Sequence, residues 1–237
     1  MKTALITGGS RGVGAATVAA FQNAGYQPAF FYRSNGEAAR KVAEETGALP
    51  FPCDVADPNL VRAACEAVLA RFRHIDALVN NAGIAQQKLF TDITDEEWAR
   101  MLGVNLSGAF YVTRALLPSM LSRKSGRIVN VSSVWGTEGA SCEVHYSAAK
   151  AGLIGLTKAL AREVGPSGVT VNCVCPGVVD TDMLNCFSKR DLQALREETP
   201  LGRLGQPAEI ASAVLWLCGD GAGFVTGQVL GVDGGFR

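Results

Sequence analysis

Short apolar segments alternate with helix-forming segments along the whole chain, and this alternation is the strongest constraint on the fold. The segments that predict strands are Thr3–Thr7, Gln27–Tyr32, Leu49–Pro52, Asp76–Asn80, Arg127–Ser132, Val169–Cys175 and Gln228–Val232. The segments that predict helices are 14–24, Glu37–Thr46, Pro58–Phe72, Thr94–Met120, His145–Val164 and Pro207–Leu217. Strands that alternate with helices form parallel sheets with right-handed crossovers. We therefore expect an α/β fold with one domain over residues 1–237 and a doubly wound parallel sheet of about seven strands.

The composition is that of a globular protein without a strong electrostatic preference. Hydrophobic residues make up 48% of the chain, and 22 basic residues balance 22 acidic ones. A net charge of zero attracts neither nucleic acid nor an anionic membrane, and it does little to oppose self-association. The first residues read as a strand followed by glycine rather than as a signal peptide, and no apolar run approaches the roughly 20 residues that span a bilayer. We expect a cytoplasmic protein without nucleic-acid or membrane partners.

Seven cysteines are present, an odd number without C-x-x-C spacing. They are Cys53, Cys65, Cys142, Cys173, Cys175, Cys186 and Cys218. Cys173 and Cys175 share one face of a predicted strand, but without histidine or further cysteine partners they make a poor metal site. We expect no metal and interpret the cysteines as buried free thiols in a reducing compartment.

A glycine-rich turn, GGSRGVG at residues 8–14, joins the first strand to the first helix. Glycines allow close approach to a ligand, and the free N–H groups of a helix amino terminus favour phosphate, although such turns also occur for packing alone. No acidic residue stands between Phe30 and Asn35, where an acid would hold the ribose of NAD(H). Arg33 at the end of the second strand, with Arg11 in the turn, therefore favours NADP(H). Asp54, after the third strand, either caps the next segment or contacts adenine.

Tyr146 and Lys150 lie four residues apart at the start of a predicted helix, so both side chains point to one face. An ammonium beside a phenol lowers the tyrosine pKa, which suits Tyr146 to general acid–base catalysis. Ser133 follows a buried strand and places its hydroxyl at the strand's carboxyl end, where open α/β sheets bind ligands. The alternative is a surface tyrosine and lysine on an ordinary helix.

Seven motifs in order resemble the short-chain dehydrogenase/reductase family over essentially the whole chain. They are TGGSRGVG at 7–14, CDV at 53–55, NNAG at 80–83, Asn105, Ser133, YSAAK at 146–150 and PGVVDT at 176–181. The resemblance implies a Rossmann-type sheet, a homotetramer and a catalytic set of Asn105, Ser133, Tyr146 and Lys150. In that set Tyr146 donates a proton to a ketone oxygen and Ser133 hydrogen-bonds the same oxygen. Lys150 holds the nicotinamide ribose, and Asn105 anchors a proton-relay water.

The same resemblance implies a set of cofactor-binding residues. They are Gly8, Ser10, Arg11, Gly12, Val13, Gly14, Arg33, Ser34, Asp54, Val55, Asn81, Ala82, Gly83, Tyr146, Lys150, Pro176, Gly177, Val179 and Thr181. Asp54 and Val55 would flank the adenine and Asn81 the adenosine ribose. Val179 and Thr181 would contact the carboxamide. Asn105 falls inside the helix predicted from Thr94, where nearby glycines suggest partial burial or a local irregularity.

Within the family the chain is similar to 3-oxoacyl-(acyl-carrier-protein) reductases, through REVGPSGVTVNCVCPG, PLGRLGQPAEIA and a VDGG ending. This similarity implies reduction of 3-oxoacyl-(acyl-carrier-protein) in fatty acid synthesis, with a ketone carried on the carrier protein. Two basic segments dock the acidic carrier in those enzymes. Lys124 supplies the first here, but the second reads Gly165-Pro166-Ser167 and holds no base, so part of the electrostatic steering is missing.

The segment WGTEGASCEVHYSAAK also resembles reductases of 5-aminopentanone groups on modified elongation factor P. A hydroxysteroid or sugar-alcohol dehydrogenase is a further alternative, and a regulator that senses NADP(H) is the non-enzymatic one. Glu143 either faces the substrate pocket and pairs with a cation or is a solvated loop acid or first-turn helix residue, and we favour the second interpretation. Residues 182–205 have no clear assignment and are expected to form a mobile lid.

Overall fold

The computed structural model describes residues 1–182, 184 and 187–236, and its centre is one parallel sheet with strand order β3-β2-β1-β4-β5-β6-β7. The strands are β1 (Thr3–Thr7), β2 (Gln27–Tyr32), β3 (Leu49–Pro52), β4 (Ala77–Asn80), β5 (Gly126–Val131), β6 (Val169–Pro176) and β7 (Val229–Val232). The helices are α1 (Gly12–Asn23), α2 (Gly36–Thr46), α3 (Pro58–Phe72), α4 (Asp95–Leu102), α5 (Gly108–Arg123), α6 (Val144–Val164), α7 (Lys189–Glu198) and α8 (Pro207–Cys218). The predicted doubly wound α/β sheet is confirmed, with most boundaries within one residue of prediction.

Side-chain alternation along the strands divides the interior into two cores. Leu5 of β1 points to the face covered by α3, α5 and α6, whereas Ile6 points to the face covered by α1, α2 and α8. Successive residues of a strand point to opposite faces, and both faces of this sheet are covered. The central strands therefore read as continuous apolar runs, which is what made them recognisable in the sequence.

The strand order reverses between β1 and β4, and this reversal positions the site. β1 pairs with β2 on one side and with β4 on the other, all parallel. The crossovers from the two strands leave in opposite directions, so a crevice opens beyond their carboxyl ends. The predicted motifs follow β1, β2, β3, β4, β5 and β6 directly, and they all meet at this edge.

The helix predicted from Thr94 to Met120 is present as one continuous helical stretch from α4 to α5, but a π-helical segment, Gly103–Ser107, interrupts its α-helical hydrogen bonding. Asn105 lies in this segment and is 1% exposed. Its Nδ2 donates to the carbonyl oxygens of Met101 and Ile84 at 3.1 and 3.0 Å. The expected irregularity and burial of Asn105 are thus confirmed.

Residues 182–205 contain a helix, α7, that the sequence analysis did not assign. A capping box starts α7: Ser188 Oγ accepts from Asp191 N, and the Asp191 carboxylate accepts from Ser188 N. The S-x-x-D spacing was the signal that could have identified it. The expected lid includes residues 183, 185 and 186, which lie outside the described residues.

Five of the cysteines are buried free thiols as predicted, but Cys142 is only half-buried, because it sits in the surface loop before α6. Cys186 lies outside the described residues. None of the described helices combines the length and the apolar character needed to cross a membrane.

Candidate active site

A cavity of about 700 Å³ opens at the carboxyl edge of the sheet, around the β1–β4 reversal. Its walls include every residue that the sequence analysis placed in the cofactor set, together with Ser133. Asn105 is the one predicted site residue that is absent from the walls, because it is buried beneath them. This volume falls within the range of pockets that bind small molecules and cofactors.

The turn after β1 has room for a phosphate only because its residues are glycines. Gly8 and Gly12 have φ of +68° and +52°, which side chains rarely tolerate. A Cβ on Gly14 would overlap the carbonyl oxygen of Gly8. Arg11 occupies the N-cap of α1 without capping it through its side chain, so the first N–H groups of α1 remain available to an anion. These features fit the pyrophosphate of a dinucleotide.

Hydrogen bonds from the NNAG segment connect the end of β4 to the end of β1, next to this turn. Asn81 Nδ2 donates to the Thr7 carbonyl oxygen at 3.0 Å, and Thr7 Oγ1 accepts from the backbone N–H groups of Asn81 and Ala82. Asn81 lines the cavity, but its amide is engaged with the protein backbone. Its structural task is therefore to hold the two strand ends in register.

Basic side chains border the far end of the cavity. Arg33 is exposed there, and Arg100 of α4 pairs with the Asp54 carboxylate at 2.9 Å. Burial alone would raise the Asp54 pKa, but hydrogen bonds from Ala56 N–H and Arg100 hold it below its usual value. The sequence analysis missed Arg100, because no local pattern shows that α4 reaches the end of β3.

Tyr146, Lys150 and Ser133 meet where β5 ends against α6. Lys150 Nζ donates to the Val131 carbonyl oxygen at 2.8 Å and lies 5.6 Å from the centre of the Tyr146 ring. Burial lowers the pKa of Lys150 to about 8. Burial also raises the pKa of Tyr146 to about 12, which the Ser133 hydroxyl opposes and the Glu143 carboxylate reinforces.

The prediction that Lys150 lowers the Tyr146 pKa is therefore wrong in this structure. The lysine directs its ammonium to the Val131 carbonyl, and its own burial disfavours its charged form. The phenol is protonated at neutral pH, as a tyrosine with an ordinary or raised pKa is, and this is the form that a proton donor requires.

Comparison with known proteins shows the family of this chain. A family model described as enoyl-(acyl carrier protein) reductase matches residues 8–237. The acetoacetyl-CoA reductase of Rhizobium meliloti is 43% identical over 235 residues, which cover 99% of this chain and 98% of that protein. The 3-oxoacyl-(acyl-carrier-protein) reductase of Chlamydia trachomatis is 41% identical over 240 residues, which cover 99% and 96%. The chain belongs to the short-chain dehydrogenase/reductase family. The resemblance of its motifs is confirmed, and so is its classification as an oxidoreductase of keto and hydroxyl groups.

Reductases of this family generally bind NAD(P)H, and the cavity lining offers groups suited to separate parts of such a cofactor. The glycine turn can hold the pyrophosphate, and the cavity runs on from there past Lys150 to the segment after β6, where Pro176 and Thr181 line it. In this short-chain dehydrogenase/reductase α7 also borders the cavity, through Leu195.

Glu143 is the residue whose predicted position is wrong. It is 8% exposed and lines the cavity next to Tyr146, so it is not a solvated acid. It occupies the N-cap of α6, but its side chain makes no capping hydrogen bond. Burial raises its pKa, which one weak hydrogen bond from Gln87 Nε2 opposes. The sequence analysis named the pocket only as the less favoured alternative, because acids before a helix usually face water.

Gly83 offers a test of the buried asparagine. A Cβ at this position would lie 2.9 Å from Asn105 Oδ1 and 3.5 Å from Lys150 Nζ. We expect Gly83→Ala to lower the reductase kcat roughly 10- to 100-fold, because displaced reacting groups lose alignment. The measurement is steady-state kinetics together with thermal unfolding of both proteins.

The matched control is Gly155→Ala on α6, where an added methyl group meets nothing within 4 Å. It should keep full activity. Unchanged kcat in Gly83→Ala would show that the position of Asn105 relative to Lys150 does not matter to turnover.

Proposed function

We propose that this protein is an NADPH-dependent carbonyl reductase that converts a 3-oxoacyl thioester into the 3-hydroxyacyl thioester. The observation that carries the proposal is the meeting of Ser133, Tyr146 and Lys150 on the wall of the same cavity that contains the glycine phosphate cradle. The substrate class follows the names of the relatives, which act on acetoacetyl-CoA or on 3-oxoacyl groups of acyl-carrier protein.

Tyr146 is the proton donor in this proposal. Its raised pKa keeps the phenol protonated until a ketone oxygen with growing negative charge lies against it. Ser133, fixed at the end of β5, donates its hydroxyl hydrogen to the same oxygen and stabilises the developing charge. Bound NADPH would supply the hydride that this chemistry needs.

Lys150 and Asn105 return a proton to Tyr146. Lys150 has a pKa of about 8, so it exchanges protons readily near neutral pH. Asn105 Oδ1 and Lys150 Nζ both lie against Gly83, where a water held between them would extend the relay. The π-helical segment places Asn105 in the buried layer beneath the cavity wall.

NADP(H) is the proposed cofactor because the adenosine end of the cavity is basic. Arg33 and Arg11 are exposed there, and within the described residues neither forms an ion pair with an acid. Asp54 is already neutralised by Arg100. A 2′-phosphate would therefore meet two guanidinium groups that form no ion pair in the described residues, and the nearby Asp54 carboxylate is paired with Arg100.

Exposed basic residues determine how well the protein would bind an acidic carrier of the thioester. Lys124 is exposed at the end of α5, whereas the turn Gly165–Ser167 contributes no cation. An acidic carrier protein would thus find one of the two basic docking points. Acetoacetyl-CoA and acetoacetyl-(acyl-carrier protein) are accordingly the two substrates to compare.

Tyr146→Phe tests the assigned chemistry. Removing only the phenolic hydroxyl should lower kcat on acetoacetyl-CoA roughly 100- to 10,000-fold, while binding of NADPH stays the same. Steady-state kinetics and cofactor titration measure the two quantities. Tyr111→Phe, on α5 and outside the cavity, is the control. If Tyr146→Phe turns over acetoacetyl-CoA as fast as the unmodified protein, Tyr146 is not the proton donor. If neither protein reduces acetoacetyl-CoA measurably, a role in sensing the cofactor is favoured.

Arg33→Asp tests the cofactor preference. We expect the ratio of kcat/KM for NADPH to that for NADH to fall roughly 100-fold, since a carboxylate repels the 2′-phosphate and accepts from a ribose hydroxyl. Arg40→Asp, an exposed site on α2 outside the main cavity, controls for the change in net charge. A ratio that does not move would exclude Arg33 as a phosphate ligand.

A homotetramer is the proposed assembly, because large apolar side chains are exposed on two separate faces. Trp98 and Phe110 mark the α4–α5 face, and Trp216 and Phe224 mark the α8–β7 face. If each patch packed against its own copy on another chain, four chains would assemble through two kinds of interface. Light scattering should give four times the mass of one chain, and Trp216→Arg should reduce it to two chains. A single-chain mass for the unmodified protein contradicts this assembly.

A further inference from the structure

The segment after β7 turns back into the protein and buries Phe236. Asp233 Oδ1 accepts from Gly235 N at 2.8 Å, and Phe236 N donates to the Asp233 carbonyl oxygen at 3.2 Å. Gly234 and Gly235 have φ of +65° and +85°, which only glycine adopts readily, so the chain can reverse its direction here. The turn ends with Phe236 in the interior, where this residue is 4% exposed.

This turn contacts two segments at the carboxyl edge of the sheet. Gly177, which lines the cavity directly after β6, packs so closely on the turn that a Cβ there would lie 2.8 Å from Asp233 Cα. Beyond α7, Leu201 N donates to the Gly234 carbonyl oxygen at 3.2 Å. The position of Phe236 is therefore fixed by contacts with the segments that follow β6 and α7.

Phe236 packs on Trp135, a residue of the cavity wall. The two ring centroids are 5.4 Å apart and the ring planes are inclined by 74°, an edge-to-face arrangement that aromatic pairs favour. Trp135 belongs to a single 3₁₀ turn, Val134–Gly136, after β5. The same turn is in close contact with α6, since a Cβ on Gly136 would lie 2.9 Å from the Lys150 carbonyl carbon. Trp135 is therefore confined through its ring by Phe236 and through its turn by α6.

The backbone of Trp135 holds the Ser133 side chain. Trp135 N donates to Ser133 Oγ at 3.2 Å, and Ser133 is the N-cap residue of the turn. A hydroxyl oxygen has two acceptor sites and carries one hydrogen. Because the amide occupies one acceptor site, the hydrogen of the Ser133 hydroxyl remains to be donated to another group. Ser133 is 7% exposed and lines the cavity, so the direction in which it donates depends on where the Trp135 amide lies.

We propose that Phe236 is a positioning residue for Ser133. Its ring fixes the Trp135 ring, the Trp135 amide fixes Ser133 Oγ, and the hydrogen of the Ser133 hydroxyl is thereby directed at the ketone oxygen. This inference rests on the proposed function, because it assumes that Ser133 donates to that oxygen. A hydrogen-bond donor stabilises developing charge most effectively when it is held in place beforehand. The segment after β7 is thus part of the structure that aligns the reaction, although Phe236 itself does not line the cavity.

Phe236→Ala tests this role in the reduction of acetoacetyl-CoA by NADPH. Without the ring Trp135 is no longer confined, so kcat should fall roughly 5- to 50-fold while the affinity for NADPH stays the same, as expected for a donor that loses alignment. Phe236→Leu keeps part of the contact and should lower kcat roughly 2- to 5-fold. Phe90→Ala, at an exposed phenylalanine outside the cavity wall, is the matched control and should keep full activity.

The same two variants in a Ser133→Ala background separate positioning from general destabilisation. If Phe236 acts through Ser133, neither variant lowers kcat further once the hydroxyl is absent, so the effects of the two changes are not additive. If a Phe236 variant lowers kcat by the same factor with and without the Ser133 hydroxyl, or does not lower it at all, the inference is overturned while the proposed function stands. Phe236→Leu supplies this comparison even where Phe236→Ala does not fold.

Hydrogen–deuterium exchange keeps the inference separate from the proposed function. The peptide that spans residues 133–137 should exchange faster in Phe236→Leu and in Ser133→Ala than in the unmodified protein, since both changes weaken the bond from Trp135 N to Ser133 Oγ. Phe90→Ala should leave this exchange unchanged. If the exchange accelerates in Phe236→Leu but no protein reduces acetoacetyl-CoA, Phe236 positions Ser133 and the proposed function fails. If this peptide exchanges at the same rate in Phe236→Leu and the unmodified protein, the inference is overturned whatever the kinetics.

Discussion

The buried hydrogen bond from Lys150 Nζ to the Val131 carbonyl oxygen is the contact on which the site depends. A second bond, from Ser132 Oγ to the Lys150 carbonyl oxygen at 2.8 Å, joins the same strand and helix. Together they fix α6 against the end of β5, and the position of Tyr146 beside Ser133 follows from that register. The hydrogen bond to the Val131 carbonyl oxygen offsets part of the cost of burying the Lys150 ammonium group. The remaining cost lowers the Lys150 pKa.

The sheet beneath this contact is held in register by buried polar side chains. Asn80 Nδ2 donates to Asn130 Oδ1 at 2.8 Å, and Asn130 Nδ2 donates to Thr157 Oγ1 at 2.8 Å. The chain of bonds runs from β4 through β5 to α6, so the strand that carries the NNAG segment and the helix that carries Tyr146 are linked. Polar networks of this kind specify one arrangement of a core, because a shifted register would leave several groups unpaired.

Regular elements and loops build different parts of the cavity wall. The cradle and the Ser133–Tyr146–Lys150 group are built from strand ends and the first turns of helices, which the parallel sheet places rigidly. The wall beside this group is built from loops, with Gln87 after β4 and Glu143 before α6. Loops on a rigid frame can change without disturbing the reaction.

The sequence by itself determined the order of strands and helices along the chain, the two-sided burial of the sheet and the identity of the glycine turn, since these depend on periodicity and backbone freedom within a few residues. Its motifs also indicated Tyr146, Lys150 and Ser133 as one group. Only the tertiary structure placed Asn105 in a π-helical segment, paired Arg100 with Asp54 and buried Glu143 in the cavity. It also reversed the expected direction of the Tyr146 pKa. Each of these depends on contacts between segments far apart in sequence, and burial and charge neutralisation are properties of those contacts rather than of local pattern.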